Sequence, residues 1–213
     1  MSSRKLPVYL LLDTSGSMKG EPIEAVNAGL SVLETSMRQN PFALESVWIS
    51  IITFDAEVKE VMPLTFVEDV TMPHIQTPNS GPTHLGAALK KLEEIVKANT
   101  KNREPSEKSD WSPFLFVMTD GRPSDIHLYK EYVPKIKKIG FRTIIGCAAG
   151  PRADLDELSD LCDQTVSLSN MDIHGFSNLF EWVSQVIASD NQSSSVHRDA
   201  ILPPPPKEIQ LTT

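Results

Sequence analysis

Short, unbroken apolar runs, set apart by helical patterns, constrain this chain more than any other feature. PVYLLLD (7–13), SVWISIITF (46–54), PFLFVMTD (113–120) and FRTIIGCA (141–148) are bounded by polar residues. They are too continuous for half-exposed strands and suit strands buried on both faces, the kind found in parallel sheets covered by helices. Between them, apolar residues step by three and four: Ile23, Val26, Leu30, Leu33, Met37; Leu85, Leu89, Leu92, Ile95, Val96; Ile126, Tyr129, Val133, Ile136, Ile139; and Phe176, Leu179, Phe180, Val183, Ile187. Those stripes are the core faces of amphipathic helices. EVKEVM (57–62) alternates polar and apolar residues after a tight DA turn, which predicts an antiparallel edge strand in a hairpin, and QTVSLS (164–169) is a last strand. The order predicts an α/β fold with a doubly wound, Rossmann-like, mostly parallel sheet of about six strands, one antiparallel edge strand and helices on both faces. Residues 1–188 form the expected domain. Residues 189–213 read as a Ser/Pro-rich C-terminal tail, with PPPP in a polyproline II form.

Composition removes several functions. A net charge of -8, from 28 acidic and 20 basic residues, argues against a phosphate-backbone partner such as DNA, which would need a basic patch, and weakly against an anionic membrane. Cys147 and Cys162 are too few and too far apart for a zinc or CxxC site, and are expected to be buried thiols in a reducing compartment. No run approaches the roughly 20 apolar residues of a membrane span. Arg4 and Lys5 before LPVYLLL have the look of a secretory signal, but the run is short and no A-x-A-like site follows. A cytoplasmic protein is expected.

Three loops carry the chemistry. DTSGSM (13–18) ends the first strand, NSGPTHLG (79–86) leads into a helix, and MTDGRPSD (118–125) ends the PFLFVMTD strand. In the expected sheet all three emerge at the carboxyl edge, where such folds bind ligands. They would bring together Asp13, Ser15, Ser17, Thr83 and Asp120, two carboxylates and three hydroxyls. An oxygen-only set selects a hard cation, Mg²⁺, Mn²⁺ or Ca²⁺.

Asp-x-Ser-x-Ser, then Thr, then Asp, in this order, resembles the metal-ion-dependent adhesion site of the von Willebrand factor type A (integrin I-like) family, over roughly residues 6 to 188. The resemblance implies that Ser15 and Ser17 bind the metal directly, Thr83 directly or through water, and Asp13 and Asp120 mainly through water. It also implies a binding module rather than an enzyme, since hydroxyl ligands leave the ion electrophilic and open to an acidic side chain of a protein partner. Pro82 departs from the glycine common in SGGT-like loops and stiffens the approach to Thr83. LPVYLLLDTSGSMKGEPIEAVNAGL and LFVMTDGRPSD are most similar to the bacterial tellurite-resistance TerY type. That similarity implies a cytosolic scaffold in a stress-response system, with a kinase-like protein and a PP2C-type phosphatase as partners.

Two other readings compete. Asp13 could be the nucleophile of a Mg²⁺-dependent phosphohydrolase, but Ser15 stands where such enzymes place a second Asp as acid/base. No GxxxxGK[ST], GxGxxG or GxSxG motif supports catalysis. Alternatively, Asp13 and the serines could merely cap the helix that starts near Pro22. Asp125 is expected to cap the helix that follows it, and Asp55 could line the same sheet edge. The five histidines show no ligand spacing.

Overall fold

The strand Leu6–Asp13 (β1) is buried along its whole length. It pairs in parallel with Val47–Phe54 (β2) on one side and with Phe114–Thr119 (β4) on the other. Parallel pairing continues through Thr143–Ala149 (β5) to Gln164–Leu168 (β6). Val58–Phe66 (β3) returns antiparallel on β2, and Ile209–Thr212 (β7) lies antiparallel on β6. The sheet order is β3-β2-β1-β4-β5-β6-β7. This computed structural model describes residues 4–78, 81–101, 110–150, 155–189, 203–207 and 209–212.

The expected α/β architecture holds, with two differences. Among the described residues the sheet has seven strands, and both of its edges are antiparallel. The second edge strand comes from beyond the prolines, in the segment the sequence pattern assigns to a tail. Ile209 is 3% exposed and joins the main core cluster. Four residues after a proline run carry too little pattern to announce a strand. What makes them one is the open edge of β6, a tertiary condition that the segment itself does not encode. The PPPP stretch is also placed: the Trp182 indole N–H donates to the Pro203 carbonyl over 2.9 Å.

Helices cover both faces. Glu21–Arg38 (α1), Pro41–Ser46 (α2) and Ile173–Ser189 (α6) pack with Val8, Leu10 and Leu12 on one face. Leu85–Lys101 (α3), Ile126–Ile139 (α4) and Leu155–Ser159 (α5) pack with Tyr9 and Leu11 on the other. Successive β1 residues thus feed opposite cores, as the two-residue strand period requires. α2 and α5 are too short to show a sequence stripe. Asn40 caps α2 with bonds from the N–H groups of Phe42 and Ala43. Cys147 and Cys162 are buried free thiols, as expected. Among the described residues no helix is long and apolar enough to cross a membrane.

The position of β1 sets the site. The chain leaves β1 through α1 to reach β2 on one side, and later returns through α3 to β4 on the other. Strand order therefore reverses between β1 and β4, and the loops after them diverge to form a crevice at the carboxyl ends. Leu12 is in register with Met118, which brings Asp13 beside the end of β4.

Candidate metal centre

Asp13 is the last residue of β1 and is fully buried. Both of its oxygens are held: Oδ1 accepts the Ser15 N–H at 2.7 Å, and Oδ2 accepts the Thr119 hydroxyl at 2.6 Å. Asp13 thereby shapes the turn that follows it and ties that turn to the end of β4. The Ser15 and Ser17 hydroxyl oxygens lie 3.1 Å apart, and the Ser17 hydroxyl donates to Asp120 Oδ1 at 2.8 Å. Ser15 and Asp120 are buried while Ser17 is exposed, so this oxygen cluster opens to solvent at Ser17.

Thr83 is nearly buried, at the end of the loop before α3. Its Oγ1 would lie 3.6 Å from a Cβ built on Gly121, the residue after Asp120, so the Thr83 hydroxyl faces the same loop. The Gly16 N–H reaches the Gly81 carbonyl at 3.4 Å, which joins the first loop to the second. The three loops expected to converge do so at the switch point.

The electrostatics suit a cation. Burial pushes the Asp13 carboxyl up to about 6, and the nearby Asp120 carboxylate adds to the rise. The Thr119 hydroxyl, the Ser15 N–H and the Ser15 side chain pull it back down. A positive ion among these oxygens would reverse the first two effects. The donor set also fits in size. Mg²⁺ holds oxygens at about 2.0–2.1 Å in an octahedron, which puts neighbouring ligand oxygens about 3 Å apart; the Ser15–Ser17 separation is compatible with that spacing. Among the described residues no group of three or more His, Cys, Asp or Glu side chains could hold a metal.

The capping alternative fails on geometry. α1 starts after Gly20, and no side chain caps it. Asp125 also departs from expectation. It occupies the N-cap position of α4 without capping it, and its two oxygens instead accept the Gly86 and Ala87 N–H groups of α3 at 3.0 and 2.8 Å. Asp55 accepts the Thr14 hydroxyl at 2.8 Å, so it borders the site without joining the Ser15–Ser17–Asp120 cluster. With Thr14, Lys59, Val61 and His74 it lines an adjoining groove of about 600 Å³. Thr119 escapes the sequence reading although it fixes Asp13; its only sign is a hydroxyl next to Asp120 at a strand end.

Residues 8–185 match the von Willebrand factor type A domain family, and the chain belongs to that family. No curated protein matches it. Among solved structures it is similar to proximal thread matrix protein 1 from the mussel byssus, with 17% identity over 88% of this chain and 49% of that one, at a TM-score of 0.65. A form of that protein described as having a zinc-occupied MIDAS motif aligns at 16% identity and TM-score 0.63, over 87% of this chain and 48% of that one. BatB from Bacteroides thetaiotaomicron, a conserved hypothetical protein, aligns at 16% identity and TM-score 0.54, over 88% of this chain and 100% of that one. The chain spans about half the length of the mussel protein.

Proposed function

We propose that this chain is a protein-interaction module that works through one divalent cation, Mg²⁺ or its stand-ins Mn²⁺ and Ca²⁺. Ser15 and Ser17 would hold the ion directly and Thr83 directly or through water, while Asp13 and Asp120 would orient these ligands and supply negative charge. The observation that carries the reading is the Ser15–Ser17–Asp120 oxygen chain above a buried Asp13, at the switch point of the sheet. Support comes from family membership and from the structural neighbour whose MIDAS motif is described as zinc-occupied.

Hydroxyl ligands neutralise little of the ion's charge. The ion keeps exchangeable water on its open side, and a carboxylate from another protein can replace it. Ser17 is the exposed member of the set, so that open side faces solvent. The groove beside Thr14 and Asp55 offers room for the partner's flanking residues. The catalytic alternative is disfavoured because Asp13 is fully buried, with both oxygens occupied by donors. A nucleophile needs an open path for in-line attack, and a side chain buried at the end of β1 and held by two donors does not offer one.

At a finer level the module would act as a cytoplasmic scaffold in a tellurite or stress response, with a kinase-like protein and a PP2C-type phosphatase as partners. That part rests on the resemblance of the two quoted stretches alone. The test is affinity capture from the native cell in Mg²⁺ and in EDTA, with the wild type and Ser17→Ala. Proteins retained by the wild type in Mg²⁺ should be lost both in EDTA and with the variant. Equal retention in all arms would place the interface away from the metal.

A further inference from the structure

Thr83 is the member of the candidate set furthest in sequence from the strands that hold the others. Its own loop offers it little: Pro82 precedes it, and His84, whose carbonyl accepts the Ala88 N–H of α3, stands at the cap position without a good capping side chain. The His84 ring instead faces the Ala56 carbonyl at 3.3 Å. The missing partners come from the loop after β4. The Thr83 N–H donates to Ser124 Oγ at 3.1 Å, and the Ser124 N–H donates back to the Thr83 carbonyl at 2.8 Å. Asp125 then takes the Gly86 and Ala87 N–H groups in the first turn of α3, one with each oxygen, where a carboxylate also meets the positive end of the helix. Gly86 lets the two segments close up, since a Cβ there would collide with the Tyr129 N–H and the Leu128 carbonyl carbon.

We infer that Ser124 and Asp125 are positioning residues for the metal centre. They lock Thr83 to the loop that carries Asp120, so that the two reach the ion as one unit. The inference rests on the metal-site reading above. Neither residue need touch the ion. Groups that orient metal ligands in this way typically govern metal affinity by about 10- to 100-fold.

The experiment measures Mn²⁺ affinity by electron paramagnetic resonance, together with the melting temperature in EDTA. The variants are Ser124→Ala, Ser124→Thr, Asp125→Ala and, as control, Asn40→Ala. The control removes a cap of the same kind, with two N–H acceptor bonds, from α2. Ser124→Ala and Asp125→Ala should weaken Mn²⁺ binding about tenfold or more. Ser124→Thr, which keeps the hydroxyl, should restore it, and Asn40→Ala should lower melting without changing affinity. Unchanged affinity in Ser124→Ala, beside a wild type that binds, would overturn the positioning role alone. So would an equal loss in Asn40→Ala, which would mark a general effect of instability. Should Asp125→Ala fail to fold, the Ser124 pair decides. A wild type that takes up no Mn²⁺ would overturn this inference and the metal reading together.

Discussion

The Ser17 hydroxyl donates to Oδ1 of Asp120 over 2.8 Å, across 103 positions of sequence. The bond joins the loop after β1 to the loop after β4, the two strands between which the sheet changes direction. Ser17 is exposed and Asp120 is buried, so the pair spans the site from surface to floor. A cation entering here would take the Ser17 oxygen as a ligand while Asp120 keeps the proton side of that hydroxyl engaged.

Removing the Ser17 hydroxyl should therefore separate metal binding from folding. With Mg²⁺ at about 100 times its dissociation constant, the wild type should gain about 2.7 kcal/mol by mass action. For a chain of this size that is a rise in melting temperature of about 5–10 °C. Ser17→Ala should lose most of this response while melting within a few degrees of the wild type in EDTA. Scanning calorimetry with and without Mg²⁺ checks it.

Gly86→Ala should be severe. Alanine raises helix propensity by up to about 1 kcal/mol over glycine, but the new methyl meets backbone atoms of Leu128 and Tyr129, which cannot swing aside. Overpacking of this kind typically costs about 1–3 kcal/mol or more. Gly29→Ala meets the buried Phe180 ring and, at 3.0 Å, the Phe176 carbonyl oxygen, so its closest clash is with a side chain rather than with backbone. In urea denaturation the first substitution should cost more than the second.

The last strand should contribute measurably to stability, contrary to what its sequence suggests. A chain ending at Ser189 exposes the edge of β6 and removes buried Ile209, along with the acceptor of the Trp182 indole N–H. A buried donor left without its partner costs about 1–3 kcal/mol. The shortened chain should have a lower urea midpoint than the full chain and a greater tendency to associate through the bared edge. Equal midpoints would return the segment to the role of a dispensable tail.

The buried thiols set an alkaline limit. Burial pushes the Cys147 thiol up to about 12, and Cys162 is raised further. An unfolded cysteine ionises near 8.5. Between these values the native chain holds protons that the unfolded chain has released, so stability falls as pH rises from about 9 toward 12. Cys147→Ala should be less stable at pH 7.5 because it leaves a cavity, yet lose less of its stability between pH 7.5 and 10.5. Native protein at pH 8 should also react with a disulfide-exchange reagent far more slowly than protein in urea.

Much of this was legible in the sequence. Buried parallel strands advertise themselves as apolar runs, and VYLLL and LFVM are such runs. Helices of four turns carry stripes. Residues such as Asp13, Ser15 and Ser17 are conspicuous because oxygen-bearing side chains have no packing reason to follow a buried strand. The less legible parts depend on partners distant in sequence. Asp125 looks like the cap of its own helix and serves α3 instead, because the close approach at Gly86 puts another helix start within its reach. Thr119 looks like any other strand residue, yet at the end of β4 its hydroxyl donates to the Asp13 carboxylate, 106 positions away in sequence. β7 is a strand only because β6 offers it an edge.

The central claim is that Ser15, Ser17 and Thr83 surround one divalent cation at the end of β1. Anomalous scattering from crystals grown in Mn²⁺ tests it most directly, since manganese identifies itself by its absorption edge. A single strong peak should lie within bonding distance of the Ser15 and Ser17 hydroxyl oxygens and be absent from crystals of Ser17→Ala. Ordered Ser15 and Ser17 side chains with no peak between them, or a peak held elsewhere on the surface, would contradict it.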